Sequence, residues 1–504
     1  MSDASDASPG EQATHAQILK STLLVGASSV VGVVFSIVRN KAVALMLGPE
    51  GIGLMGLYSA LADMAQNLAG LGVQSSGVRQ IAEAAGTNDE ETIARTTLVL
   101  SRTALLLAAI GALLLVLLAA PLSGLTFGDH QQAAGIALLS LAVALRIVSG
   151  GQMALLQGLR RIADLAVVNV AGAFAGTAIT IPLIYVFGLR GIVPSLIAVA
   201  AVTCLASWYF RRQVRLPPVE MPRALFRKES GRLLKLGLVF MASGLLTFGA
   251  AYANRLIVLH AEGMAAAGFY QAAWAIGGLY AGIVLQAMGA DFYPRLTAVN
   301  ENNTECNRLV NEQVQMSLLL AGPGVVATLT FAPFVLQILY SHAFDGATDL
   351  LRWICLGMML RILAWPMGYI VIAKEAQAIF FWTELAATAV HVGLAWLLVP
   401  HFGAAGAGMA FLGLYVWHGA LIYGIVRKMS GFRWSRENAI IAPVFMLACA
   451  LVFLATQALP LWQSTAAGSA VLLLTGLYSI KKLIRLVPYA SLPMPLKVLI
   501  ARFA

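Results

Sequence analysis

From residue 18 almost to its end, the chain alternates long apolar segments with short polar or glycine-containing breaks. An apolar run of about 18 residues crosses a hydrocarbon core as a helix, the conformation that satisfies its own backbone groups there. The pattern predicts fourteen spans, at about 18–46, 52–78, 96–119, 132–157, 164–187, 191–210, 236–259, 268–290, 309–335, 349–372, 377–399, 404–426, 440–458 and 465–480. The predicted fold class is an all-α polytopic membrane protein.

A shift of 215 positions superposes much of the first half on the second. Leu145-Arg146-Ile147 falls on Leu360-Arg361-Ile362, Lys20 on Lys235, Ala27-Ser28 on Ala242-Ser243 and Gly53 on Gly268. Phe187-Gly188 falls on Phe402-Gly403, and Gly191 on Gly406. The repeat predicts an N-lobe over 18–210 and a C-lobe over 236–426, six helices each, parallel because the number is even. A basic cytoplasmic linker over 211–235, with Pro217-Pro218 and Pro222, joins them. Two further helices and a basic tail fill 427–504, and residues 1–17, polar and mildly acidic, read as a disordered cytoplasmic tail.

The chain has 504 residues, 59% hydrophobic and 11% charged. A soluble protein carries about 25% charged residues, so composition agrees with the spans. The net charge of +10 would suit a nucleic-acid partner only if it were clustered on one surface. Instead, of 33 Lys and Arg, 25 fall at alternate, same-side ends of the predicted helices, one (Arg190) on the other side, and seven within spans. By the positive-inside rule both termini are cytoplasmic, and no nucleic-acid partner is implied. Four cysteines without a CxxC spacing indicate neither a disulfide framework nor a metal site.

Cations within spans are costly and usually face a cavity or a partner. Arg146 and Arg361, each near the middle of its helix, are the leading candidates for binding an anionic group; an internal ion pair is the structural alternative. Arginine suits phosphate because its planar fork donates two parallel bonds and stays charged. Arg39 and Arg255 form a second tier in the outer halves of helices 1 and 7. Asp63 on helix 2, at similar depth, could pair with either; a salt bridge gating the exported side and plain substrate binding are equal alternatives. On helix 11, Glu384, Thr388 and His391 share a face, and a buried carboxylate near a histidine could couple protons. Gly51-Ile52-Gly53-Leu54-Met55-Gly56 matches GxGxxG but lacks the strand of a dinucleotide site; its glycines are expected to let helices 1 and 2 approach. There is no HExxH, GxSxG or Walker sequence, so no enzyme, cofactor or metal is expected.

Leu47-Gly48-Pro49-Glu50-Gly51-Ile52-Gly53, Gln157-Gly158-Leu159-Arg160-Arg161, Phe187-Gly188 and Phe402-Gly403-Ala404-Ala405-Gly406 resemble the multidrug/oligosaccharidyl-lipid/polysaccharide (MOP) exporter superfamily, and within it the Wzx-type flippases of O-antigen and related oligosaccharide lipids. The resemblance covers about residues 18–430. It implies two MATE-like six-helix lobes around a cation-lined cavity. It also implies movement of undecaprenyl-pyrophosphate-linked oligosaccharide from the cytoplasmic to the periplasmic leaflet of the bacterial inner membrane by alternating access, with the polyprenyl tail among the membrane lipids. A polysaccharide polymerase and chain-length machinery would be its partners in polysaccharide and lipopolysaccharide biosynthesis. Helices 13 and 14 resemble the lipid II flippase branch. Lipid II transport and MATE-type small-molecule or cation antiport are the alternatives within the fold. A membrane polymerase or ligase would be expected to need a large exported loop, and the chain has none.

Overall fold

The computed structural model describes residues 9–87, 89–287 and 292–486, with side chains from Ser28 onward except at 280, 281 and 283–287. The described residues are helical, with no strand among them. Eleven helical stretches are long and apolar enough to span a membrane, and three of these contain a break: at Gly48, over Gly188–Gly191 and at Gly263. Divided there, they give fourteen spanning helices among the described residues: α1 (9–47), α2 (49–70), α3 (Glu90–Leu117), α4 (Ala133–Gly158), α5 (Ile162–Phe187), α6 (Ile192–Arg212), α7 (223–262), α8 (264–287), α9 (Asn303–Thr330), α10 (Thr348–Ala373), α11 (Gln377–Phe402), α12 (Ala404–Ser430), α13 (Arg436–Ala458) and α14 (Leu461–Leu486).

The breaks obey the sequence repeat. Gly48 (φ 64°, ψ −163°) and Gly263 (φ 83°, ψ −176°) are 215 residues apart and turn the chain in the same way. That conformation is open essentially to glycine alone. Gly188 and Gly403 (φ 58° and 61°) follow α5 and α11 at the same shift, and Arg160 and Glu375 (both φ 55°) stand between α4 and α5 and between α10 and α11. The repeat is therefore written in the backbone as well as in residue types.

Two compact units emerge. The first comprises residues up to Gly268 with Leu339–Ser341, and the second Phe269–Ile338 with everything from His342. Within the first, α3 packs on α4, α4 on α6, and α5 on α6 and on the α1–α2 stretch. Within the second, the equivalent helices pair in the same way: α9 on α10, α10 on α12, α11 on α12. The outer faces are apolar; on α3, Leu105, Leu106, Ile110, Leu113, Leu114 and Leu117 are all exposed. Such a face is stable against lipid and would aggregate in water.

Several boundaries differ from the sequence pattern. The span expected at 52–78 ends at Gly70, turns through Leu71-Gly72 in left-handed conformation and resumes as a separate amphipathic helix, Val73–Gly86. The turn is forced by close backbone contact, because a Cβ on Gly72 would run into the Gly237 carbonyl of α7. The expected disordered tail is corrected over 9–17, which already belong to α1; residues 1–8 and the basic tail from 487 lie outside the described residues. Around Pro217-Pro218 and Pro222 the chain is irregular between α6 and α7. Asp89 caps α3, its carboxylate accepting from the Thr92 N–H (2.9 Å) and hydroxyl (2.5 Å), which holds its pKa below the usual carboxylate value.

The end of α12, the link after it and the appended pair α13–α14 are tied to α9 by side chains four residues apart on one face. Asn307 donates to the Ser430 carbonyl (2.8 Å) and Asn311 to that of Arg433 (3.0 Å). Asn311 also accepts from the Ser435 N–H (2.8 Å), and its own carbonyl accepts from the Asn438 amide (2.7 Å). Gln315 bonds Glu437, which also pairs with Lys482 of α14 at 3.1 Å. Deeper in the unit, Gly322 leaves room for Phe445, and Gly468 for Thr330.

Candidate functional site

The candidate residues fall into two groups, one in each unit. In the first, Arg146 lies thirteen residues into the 26-residue α4, and its Nη1 donates to Asp63 Oδ1 of α2 at 2.7 Å. This corrects the expected pairing of Asp63 with Arg39 or Arg255. Both side chains are accessible, Arg146 at 26% and Asp63 at 45%. An ion pair this open contributes about 0–1 kcal/mol, whereas breaking a fully buried one costs about 3–5 kcal/mol. Asp63, Gln66 and Asn67 are half-buried on one face of α2, so a polar stripe runs along the span beside the arginine.

Arg39 of α1 is separate from that pair. Its Nη1 lies 3.1 Å from where a Gly176 Cβ would stand, and its Nε is buried without a hydrogen-bond acceptor. Glycine at 176 thus leaves space on α5 for the guanidinium. Arg255 turns back on its own helix, donating to the Ala251 carbonyl at 2.8 Å.

In the second unit, Arg361 of α10 has a different environment. Its guanidinium carbon lies 4.1 Å from the ring centre of Trp365, one turn along the same helix, and 5.8 Å from that of Tyr415 on α12. Stacking of this kind contributes about 0.5–2 kcal/mol, and the guanidinium also hydrogen-bonds the Tyr415 side chain. Its Nε is buried without an acceptor. Glu384 and His391 of α11 both lie within electrostatic range of Arg361. His391 is buried against aromatic rings, 6.5 Å from Trp274 and 5.8 Å from Phe411 between ring centres. The two repeat-related arginines are therefore chemically unlike: one is held by a carboxylate, the other by aromatic faces.

Sequence inspection passed over some of these side chains. Trp365 was legible as the i+4 neighbour of Arg361. Tyr415, Phe411 and Trp274 come from other helices and carry no local signal. Arg352, buried near the start of α10 and paired with Asp349 at 3.1 Å, was also missed as a site, although its i−3 acid is visible in the sequence. Among the described residues no cluster of His, Cys, Asp and Glu could hold a metal ion.

The sequence profile of the family described as "Polysaccharide biosynthesis protein" matches residues 42–349. The chain belongs to that family. Among curated proteins, this family member is 25% identical over 422 residues to the "Lipid III flippase" of Escherichia coli (strain K12), covering 81% of this chain and 98% of that protein. The "Lipid III flippase" of Shigella flexneri matches to the same extent. Among solved structures, "Lipid II flippase MurJ, inward closed conformation" gives a TM-score of 0.68 at 12% identity, covering 92% of this chain and all of that one. An inward-facing multidrug resistance MATE family transporter of the MOP superfamily gives 0.63 at 18% identity, covering 79% of this chain and 94% of that one. The expected fold stands: this member of the family is a multi-pass helical membrane protein that shares the fold of the MurJ and MATE structures, and the curated relatives it matches are flippases by name.

Proposed function

We propose that this protein is a flippase that moves a lipid-linked oligosaccharide, its sugars joined to undecaprenyl through pyrophosphate, from the cytoplasmic to the periplasmic leaflet of the bacterial inner membrane. An O-antigen or related polysaccharide repeat unit is the cargo favoured here. The observation that carries this reading is a mid-span arginine, Arg146, with one N–H bonded to Asp63 and a quarter of its side chain accessible. A cation so placed in a membrane helix has its use in meeting an anion. Family membership and the similarity to a lipid III flippase supply the class of anion.

In this proposal Arg146 and Arg361 bind phosphate oxygens, with Arg39 and Arg255 as secondary contacts. Glu384 and His391 couple proton movement to transport, since a proton gained there changes the charge near Arg361. The lobes move as 18–210 and 236–426, joined by the 211–235 linker, with both termini cytoplasmic. A polymerase and chain-length machinery receive the product.

The test is transport by purified protein in proteoliposomes, with undecaprenyl-pyrophosphate oligosaccharide, lipid II and an organic cation as the panel. Arg146→Ala and Arg361→Ala should each abolish oligosaccharide translocation while inserting normally. Wild-type transport by both would overturn the assignment, and transport of lipid II or the cation alone would redirect it.

A further inference from the structure

The Arg146–Asp63 pair has features that a structural strut does not need. It joins adjacent helices of one unit, yet both side chains are accessible and only one hydrogen bond links them. Arginine has five N–H donors; Nη1 gives one to Asp63, and the other four find no acceptor among the described residues. A carboxylate and a phosphate group compete for the same guanidinium edge, because each can present two anionic oxygens to it. The pair is also absent from the second repeat. The position equivalent to Asp63 is Gly278, where a Cβ would meet open space, so a side chain there is not excluded by crowding. Arg361 rests on Trp365 and Tyr415 instead.

We propose that Asp63 is a built-in competitor for the anion site of Arg146: its carboxylate holds the guanidinium, is displaced by an entering pyrophosphate group, and by returning helps to expel it. The inference rests on the flippase reading of Arg146. It makes Asp63 a positioning residue that sets affinity against release. A transporter must let its cargo go, and a carboxylate that competes for Arg146 prevents the headgroup from being held too tightly there. Beside Asp63 on α2 stand the half-buried polar side chains Gln66 and Asn67, the latter donating to the Met241 carbonyl at 3.0 Å.

The experiment measures binding of undecaprenyl pyrophosphate in mixed micelles, and of inorganic pyrophosphate, to the full-length protein, together with turnover in proteoliposomes. Asp63→Asn should tighten binding about two- to fivefold, the size expected for loss of an accessible charge competitor, and should slow turnover. Asp63→Glu should restore both towards wild type, and adding Arg146→Ala to Asp63→Asn should remove the tightening. A gain for both probes assigns the competition to pyrophosphate itself, and a gain for the lipid alone assigns it to the membrane-borne headgroup. If Asp63→Asn binds no better or worse than wild type while Arg146→Ala binds weakly, the competitor role is wrong and the flippase reading stands. If Arg146→Ala binds like wild type, both fall.

Discussion

Gly53 and Gly268 occupy equivalent positions of the repeat and pack against each other. A Cβ on Gly53 would stand 2.9 Å from the Gly268 nitrogen and run into the Met264 carbonyl, and one on Gly268 would run into the Pro49 carbonyl. Since 49 and 264 are themselves equivalent, the contact is reciprocal, as at a local two-fold axis. Gly53 therefore serves the crossing of α2 with the start of α8, while Gly51 serves the expected approach of helices 1 and 2, since a Cβ there would run into the Leu47 side chain at the end of α1. Small residues allow such backbone proximity in membranes.

Because the obstruction is backbone, it cannot be relieved by a rotamer change. Gly53→Val and Gly268→Val should each destabilise the protein by about 1–3 kcal/mol, the usual cost of overpacking. Thermal unfolding in detergent would register this, and the two effects should not add, since the residues share one contact.

At Gly48 and Gly263 the constraint is torsional. No heavy atom lies within 4 Å of a Cβ built at either position, so alanine meets no clash there. Its cost is the strained φ/ψ alone, about 1–3 kcal/mol. Gly48→Ala and Gly263→Ala should lower stability by similar amounts; a large difference between them would mean that the repeated geometry conceals different packing.

Stacking and planarity make Arg361 hard to replace. Arg361→Lys keeps the charge but loses the flat surface over Trp365 and the forked donors. It should impair transport nearly as much as Arg361→Ala, and Trp365→Leu should weaken anion binding without removing it. Titration with undecaprenyl pyrophosphate would read both effects; full activity of the lysine variant would show that charge alone suffices.

Asn311 is the centre of the ladder holding α13–α14 to α9, with bonds to Arg433, Ser435 and Asn438. Asn311→Ala should cost about 1–3 kcal/mol by leaving partly buried polar groups unpaired. Hydrogen exchange should rise first around 433–438, at the start of α13, before the transport helices are affected.

Much of the architecture could be read from the chain alone. Span length, the Lys/Arg distribution and the 215-residue shift are local or additive properties. Apolar runs must become helices in lipid, and the glycines at 188 and 403 end their helices because few other residues adopt that backbone. Arg146 and Arg361 stood out for the same reason, since a mid-span cation is anomalous whatever surrounds it.

What the sequence could not decide is which partner each cation meets. Asp63 is 83 residues from Arg146 and Tyr415 is 54 from Arg361, and no periodicity links such pairs. Only the packing of α2 on α4 and of α10 on α12 gives one arginine a carboxylate and the other an aromatic bed. Side-chain interactions act over a few ångströms, so equivalent positions in a repeat acquire different chemistry as soon as their neighbours differ.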